Sequence, residues 1–127
     1  MNEKEILFRE ESYAIIGACF EVYKEKGCGF HEAIYEECFT IELGERSIPF
    51  VEQAELLMDY KGHPLKQRFI VDYLCYGKIV VELKAVSELN DRHRAQVHSY
   101  LKAANLRLGL LVNFGHYPGL EYERIVR

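Results

Sequence analysis

Proline and glycine are scarce, three and nine in 127 residues, while 49% of the side chains are hydrophobic and 28% charged. That balance excludes collagen-like repeats and disordered, low-complexity chains. Cysteine is also thin: Cys19, Cys28, Cys38 and Cys75 form no CxxC pair and have no histidine at zinc-finger spacing, so buried thiols fit them better than metal ligands. No apolar run approaches the roughly 18 to 20 residues that cross a bilayer. The opening MNEKEILFREESYAI lacks a basic region leading into an apolar stretch, so a cytoplasmic location without a membrane partner is expected. Neither GxGxxG nor a phosphate-binding P-loop occurs, and Ser12, Ser47, Ser87 and Ser99 lack the context of a nucleophile elbow.

A general surplus of cationic charge is missing as well. Sixteen Lys and Arg stand against 20 Asp and Glu, a net charge of −4, which argues against a nucleic-acid coat protein. The average hides an asymmetry, however. Residues 1–60 carry 5 basic and 14 acidic side chains, residues 61–127 carry 11 basic and 6 acidic, so nucleic acid, if bound, belongs to the second half. The length suits one domain over 1–127.

What is present reads as an alternation of textures. Ile6, Tyr13, Ile16, Phe20 and Tyr23 recur at helical spacing and predict an amphipathic helix over 4–26, closed at Gly27. Phe30, Ile34, Cys38 and Ile41 predict a second over 30–46. Three runs rich in β-branched and aromatic residues follow, 51–60, 65–75 and 78–86, separated by Lys61-Gly62-His63-Pro64 and Tyr76-Gly77. A helix over 91–104, a strand over 106–114 with cover on both faces and a short edge strand over 121–126 complete the order. The expectation is an α/β fold, a mixed sheet flanked by helices in the order ααβββαβ(β).

Asp72 lies inside the strand-like run FIVDYLC, where a lone carboxylate needs a partner. Glu82 and Lys84 sit two apart in KIVVELKAV and leave one face of a strand, their Cα atoms about 6.5 Å apart. A hairpin turn at Tyr76-Gly77 brings Asp72 beside Glu82. One lysine against two carboxylates leaves negative charge over, and a hard cation such as Mg²⁺ or Mn²⁺ accepts such oxygens. On these three residues alone, a structural ion pair and a catalytic metal site fit equally well.

The wider pattern is more specific. Asp72 followed by Glu82-x-Lys84 resembles the PD-(D/E)xK nuclease superfamily, with its restriction-endonuclease-like fold, and Gln96-x₃-Tyr100 looks like the QxxxY motif of the RecB-like branch. Upstream, Gly29 to Tyr35 spells GxxExxY and is followed by Glu36. With VEQ at 51–53, YKG at 60–62, VELKAV at 81–86 and HRAQVHSYLKAANLRLGLLVNFG at 93–115, this resembles the GxxExxY proteins over residues 8–115. Val71 stands where the superfamily signature has proline, a position without chemical duty.

The resemblance implies a metal-dependent nuclease in which Asp72 and Glu82 hold Mg²⁺ or Mn²⁺ and Glu32 adds a carboxylate. Lys84 would assist the attacking water, while Gln96 and Tyr100 position the lysine or the phosphate. Arg92, His93, Arg94 and Lys102, with Arg107, are candidate contacts to nucleic acid, most simply DNA. A homodimer is one way for so short a chain to grip duplex. Two other readings stay open: an inactive nuclease-fold module that binds nucleic acid or a protein, and a metal enzyme acting on a small phosphorylated molecule.

Overall fold

The computed structural model describes residues 6–127. Two helices, α1 (Arg9–Lys26) and α2 (Glu32–Glu45), open the chain. Five strands follow: β1 (Phe50–Leu56), β2 (Asp59–Tyr60), β3 (His63–Pro64), β4 (Phe69–Cys75) and β5 (Ile79–Lys84). Then come α3 (Asp91–Ala104), β6 (Leu108–Asn113) and β7 (Glu121–Val126). The main sheet runs β1-β4-β5-β6-β7, antiparallel throughout except for the parallel β5–β6 pair, which α3 connects. No helix among the described residues is long and apolar enough to cross a membrane.

The sheet lies between two helical layers, as expected. Its α1/α2 side buries Val81, Leu83, Leu108, Leu110 and Val112, and its α3 side buries Val80, Leu111, Val97 and Leu101. Every residue of β6 is buried, so this strand has cover on both faces. Gly109 is what lets α3 lie so close: a Cβ there would come within 2.5 Å of Val97 Cγ1.

Four sequence expectations need correction. Among the described residues, α1 begins at Arg9 rather than residue 4, because Phe8 adopts a left-handed backbone (φ 50°, ψ 46°) that a helix cannot continue through; residues 4 and 5 lie outside the described part. The stripe facing the sheet is Ile15, Ala18, Cys19 and Val22, with Ile16, while Tyr13 is 82% exposed and Phe20 48%. Small and branched side chains allow close approach to a sheet; the bulky aromatic stripe does not. In α2 as well the buried row is not the expected one: it is the larger Tyr35, Phe39 and Leu43 that turn inward, and Ile41 is exposed. Finally, the expected strands over 51–60 and 65–75 stop at Leu56 and start at Phe69, and residues between them form a separate hairpin, β2–β3. Its turn is Lys61-Gly62, both at positive φ (51° and 83°), so His63-Pro64 is strand rather than turn, and two short strands join the expected order.

Candidate active site

The β4–β5 hairpin turns through Tyr76-Gly77-Lys78, where Tyr76 and Gly77 both have positive φ (57° and 68°) and the Lys78 N–H donates to Cys75 O at 3.1 Å. Regular pairing runs Cys75↔Ile79, Leu74↔Val80 and Tyr73↔Val81, then stops. Asp72 and Glu82 come next, facing each other as expected, and here side chains take over the ladder. The Asp72 N–H donates to Glu82 Oε2 at 2.7 Å, and the Leu83 N–H donates to Asp72 Oδ2 at 2.8 Å. Each carboxylate thus occupies the place of a backbone carbonyl, and the strands part beyond it.

The neighbouring strand bends at the same level. Gln53, between the pairs Glu52↔Tyr73 and Ala54↔Val71, has φ 52°, a conformation that costs a non-glycine residue about 1–2 kcal/mol. Side-chain alternation resets there: Val71 packs in the α3-side core and Tyr73 in the α1/α2-side core, although two residues apart they should share a face. Ala54 and Phe50 divide between the two cores in the same way.

A third and a fourth carboxylate arrive from α2. Glu32 and Glu36, four apart and so on one helix face, each bring an oxygen to Asp72 such that the three atoms lie within 4.8 Å of one another. Tyr35 sets where this helix begins. Its buried hydroxyl accepts from the Gly29 and Phe30 N–H groups at 3.0 and 3.1 Å and donates to Gly27 O at 2.6 Å, while its ring stacks on Phe114 at 4.7 Å. The tyrosine of the GxxExxY string is therefore a positioning residue for Glu32 and Glu36. Glu36 is the ligand candidate that the motif passed over; its spacing from Glu32 was the available signal.

So much unbalanced acid raises proton affinity. Burial, then the Asp72 charge, pushes Glu82 up to about 8, and burial with Asp72 and Glu32 pushes Glu36 up to about 7. Asp72 is raised by burial, against the lowering effect of the Leu83 N–H. Glu82 is only 4% exposed, so its charge has little water to turn to. Three hard oxygen donors within 4.8 Å, with Glu82 behind them, suit a hard divalent cation, which would neutralise what the single nearby Lys84 leaves uncompensated.

α3 supplies the opposite wall. Lys84 Nζ donates to Gln96 Oε1 at 3.2 Å, which brings these two sequence candidates together. Tyr100, one turn on, stacks on Phe69 at 5.2 Å, and its hydroxyl is raised by burial and by the Glu82 and Asp72 charges. Arg92 and His93 join Lys84, Gln96, Asn90 and Ser99 around an open cleft of about 590 Å³. His93 also closes the helix start: the Asn90 N–H donates to His93 Nδ1 at 3.1 Å while Asn90 Oδ1 accepts from the Arg92 and His93 N–H groups. Burial, then Lys84, lowers the His93 pKa. Arg94 points elsewhere, held by Glu123 at 2.8 Å and Asp91 at 3.0 Å, and ties α3 to β7. Lys102 and Arg107 are exposed beyond the cleft.

Asn113 was not foreseen. Fully buried at the end of β6, it accepts from the Val86 and Gly115 N–H groups and donates to Val86 O and Glu121 Oε1, all at 2.9–3.0 Å. It pins the segment that leads from Lys84 to α3. The cysteines are free thiols, and none belongs to the metal-capable group among the described residues.

Comparison with known proteins agrees with this geometry. The crystal structure of SSO0001 superposes with a TM-score of 0.60 at 19% identity, over 76% of this chain and 50% of that one. That likeness shows the fold, a restriction-endonuclease-like mixed sheet flanked by helices, and this chain spans half the length of SSO0001. No curated protein matches the chain. The model of the PD-(D/E)XK nuclease superfamily matches residues 9–125, and the chain belongs to that superfamily.

Proposed function

We propose that the chain acts as one nuclease-like domain, a GxxExxY-type member of the RecB-like branch, and hydrolyses phosphodiester bonds in DNA with Mg²⁺ or Mn²⁺. The observation that carries this reading is the exchange of hydrogen bonds between Asp72 and Glu82 at the point where β4 and β5 part, with Glu32 and Glu36 closing on Asp72. Asp72, Glu82, Glu32 and Glu36 would hold the cation. A bound divalent ion lowers the pKa of water toward neutrality and stabilises charge on the attacking and leaving oxygens.

The remaining steps belong to the chain. Lys84, oriented by Gln96, directs the attacking water and offsets charge as it builds on the phosphate oxygens. Tyr100, beside Glu82 and Asp72, bounds the position of the scissile phosphate. Arg92 and His93 receive the neighbouring phosphate in the cleft they share with Lys84. Arg94 and Lys102 take a lesser part, the first because Glu123 and Asp91 occupy its guanidinium.

Calorimetric titration of Mn²⁺ and Mg²⁺ into wild type and Glu82→Ala, each then incubated with single-stranded and duplex DNA, tests the proposal. Saturable metal binding and cleavage, both lost in the variant, are expected. A wild type that binds no metal and cuts nothing would sink the catalytic reading in favour of a binding module.

A further inference from the structure

We infer that the β2–β3 hairpin is an arm that grips the polynucleotide several nucleotides from the cut bond, which makes a polymer, not a small phosphodiester, the substrate of this site. The inference rests on the phosphodiesterase reading above. Four observations carry it.

The first is placement. β4 runs antiparallel to β5, so the start of β4 lies at the Lys84 end of β5, and the hairpin leaves the sheet at the site. The β1–β4 pairing continues past the parting of β4 and β5, through Ala54↔Val71 and Glu55↔Ile70 to Leu56↔Phe69, and beyond it the hairpin forms a separate two-stranded sheet. The Phe69–Tyr100 stack ties the start of β4, where the hairpin rejoins the sheet, to α3.

The second is exposure. Every residue from Asp59 to Arg68 is exposed, and the hairpin is held by the short Asp59↔Pro64 and Tyr60↔His63 ladder, the Lys61-Gly62 turn and a 3.0 Å bond from the Leu65 N–H to Met58 O. Tyr60 is 62% exposed and Leu57 61%, so the hairpin spends its apolar surface on no core of its own. A hairpin this short gains little stability by itself.

The third is charge. Between residues 57 and 68 stand Lys61, Lys66 and Arg68 against Asp59 alone. Arg68 lies 3.8 Å from Glu55 in a solvent-exposed pair, a weak restraint, and Lys61 Nζ sits 5.4 Å from the Tyr60 ring centre. The site itself gathers four carboxylates around one lysine, and Arg94 is taken by Glu123, so beyond Arg92 and His93 the affinity for a polyanion draws on cations outside the cleft. The arm is a cationic surface rooted beside that acid.

The fourth is reach. Lys61 lies five positions beyond Leu56, a reach of at most about 17 Å at the rise of a strand. At about 3.4 Å of helix axis per phosphate along one strand, the tip addresses a phosphate about five nucleotides away. Lys61 and Lys66 contact backbone, and the face of the Tyr60 ring away from Lys61 is one on which a base stacks.

The test uses the full chain and the charge-reversed double variant K61E/K66E. Binding of a fluorescein-labelled 20-nucleotide single strand and of a 20-base-pair duplex is followed by anisotropy with Ca²⁺ present, across a salt series. Hydrolysis of bis(p-nitrophenyl) phosphate with Mn²⁺ reads the site alone. Affinity for the oligonucleotide is expected to fall at least about tenfold, with the slope of log K against log salt shallower by about 2 in the milder K61Q/K66Q variant. Tyr60→Ala should weaken the single strand by about tenfold. Hydrolysis of the small diester should stay unchanged in all three variants.

Equal affinity and equal salt slope in variant and wild type would overturn the arm, as would a wild type that binds neither oligonucleotide. If the small diester is not hydrolysed but oligonucleotide binding still depends on Lys61 and Lys66, the catalytic reading fails and the arm stands.

Discussion

At the turn end of the β4–β5 hairpin, Tyr73, Cys75, Ile79 and Val81 are fully buried and pair backbone to backbone. At the open end, one residue further, Asp72 and Glu82 are still largely shielded from water, but their backbone donors bond to carboxylates instead. Both ends satisfy their hydrogen bonds; only the open end does so with charge. The closed end gains stability from apolar burial, whereas the open end keeps four acidic groups near one another at a cost that a cation would relieve. One hairpin thus holds a structural half and a chemical half, divided at the level of the strained Gln53.

The difference can be broken most severely at the open end. Asp72→Asn retains an acceptor for the Leu83 N–H, so the fold should survive, while cleavage should drop by about 10³-fold or more and the heat of Mn²⁺ binding should vanish. At the closed end Ile79→Ala should do the reverse. Urea unfolding should show a loss of about 2–5 kcal/mol, with turnover per folded molecule unchanged.

pH gives an intermediate effect. Glu82, raised to about 8, and Glu36, raised to about 7, bind protons in the folded state that the unfolded chain releases near pH 4.5. Their protonated forms favour folding, so without metal the stability should be full below about pH 4.5 and should decline as pH rises through 7 and 8. For Glu82 the change is on the order of a few kcal/mol. Urea titrations at pH 5, 6.5 and 8 should show the decline in wild type, and much less of it in Glu82→Gln; saturating Mg²⁺ should flatten it as well. A metal-free stability that rises over this range would contradict the assignment.

The smallest effect belongs to Arg94, away from both ends. Its partner Asp91 is fully exposed and Glu123 partly so, and Arg94→Ala should lower the midpoint of thermal unfolding only slightly. Oligonucleotide affinity should fall only slightly, far less than in Arg92→Ala, which removes a cation from the cleft.

Much of this was legible in the chain because the signals are local. Runs rich in apolar and β-branched residues marked β5 and β6 and the Tyr76-Gly77 pair marked the turn, while the three-residue connection from Cys75 to Ile79 sets Asp72 opposite Glu82. Glu82-x-Lys84 and Gln96-x₃-Tyr100 each lie on one face of a regular element, and the Lys84–Gln96 bond joins those faces. The helix stripes misled because α1 and α2 each carry two overlapping apolar rows. Which row turns inward depends on the sheet, a partner residues away in sequence.

Order of elements, the carboxylate pair and its lysine were thus set by the amino-acid sequence itself, through side-chain period and turn chemistry, which act within a few residues. Three things waited for the tertiary structure. Glu36 joined the site because Tyr35 anchors the start of α2, a contact that involves Phe114, distant in sequence, just past β6 in the same core. Arg94 left the cleft because β7 presents Glu123 to it. The reset of side-chain alternation at Gln53 and Asp72 arose because carboxylates replaced backbone acceptors between strands, and no periodicity in a single chain segment encodes where a neighbouring strand will yield its hydrogen bonds.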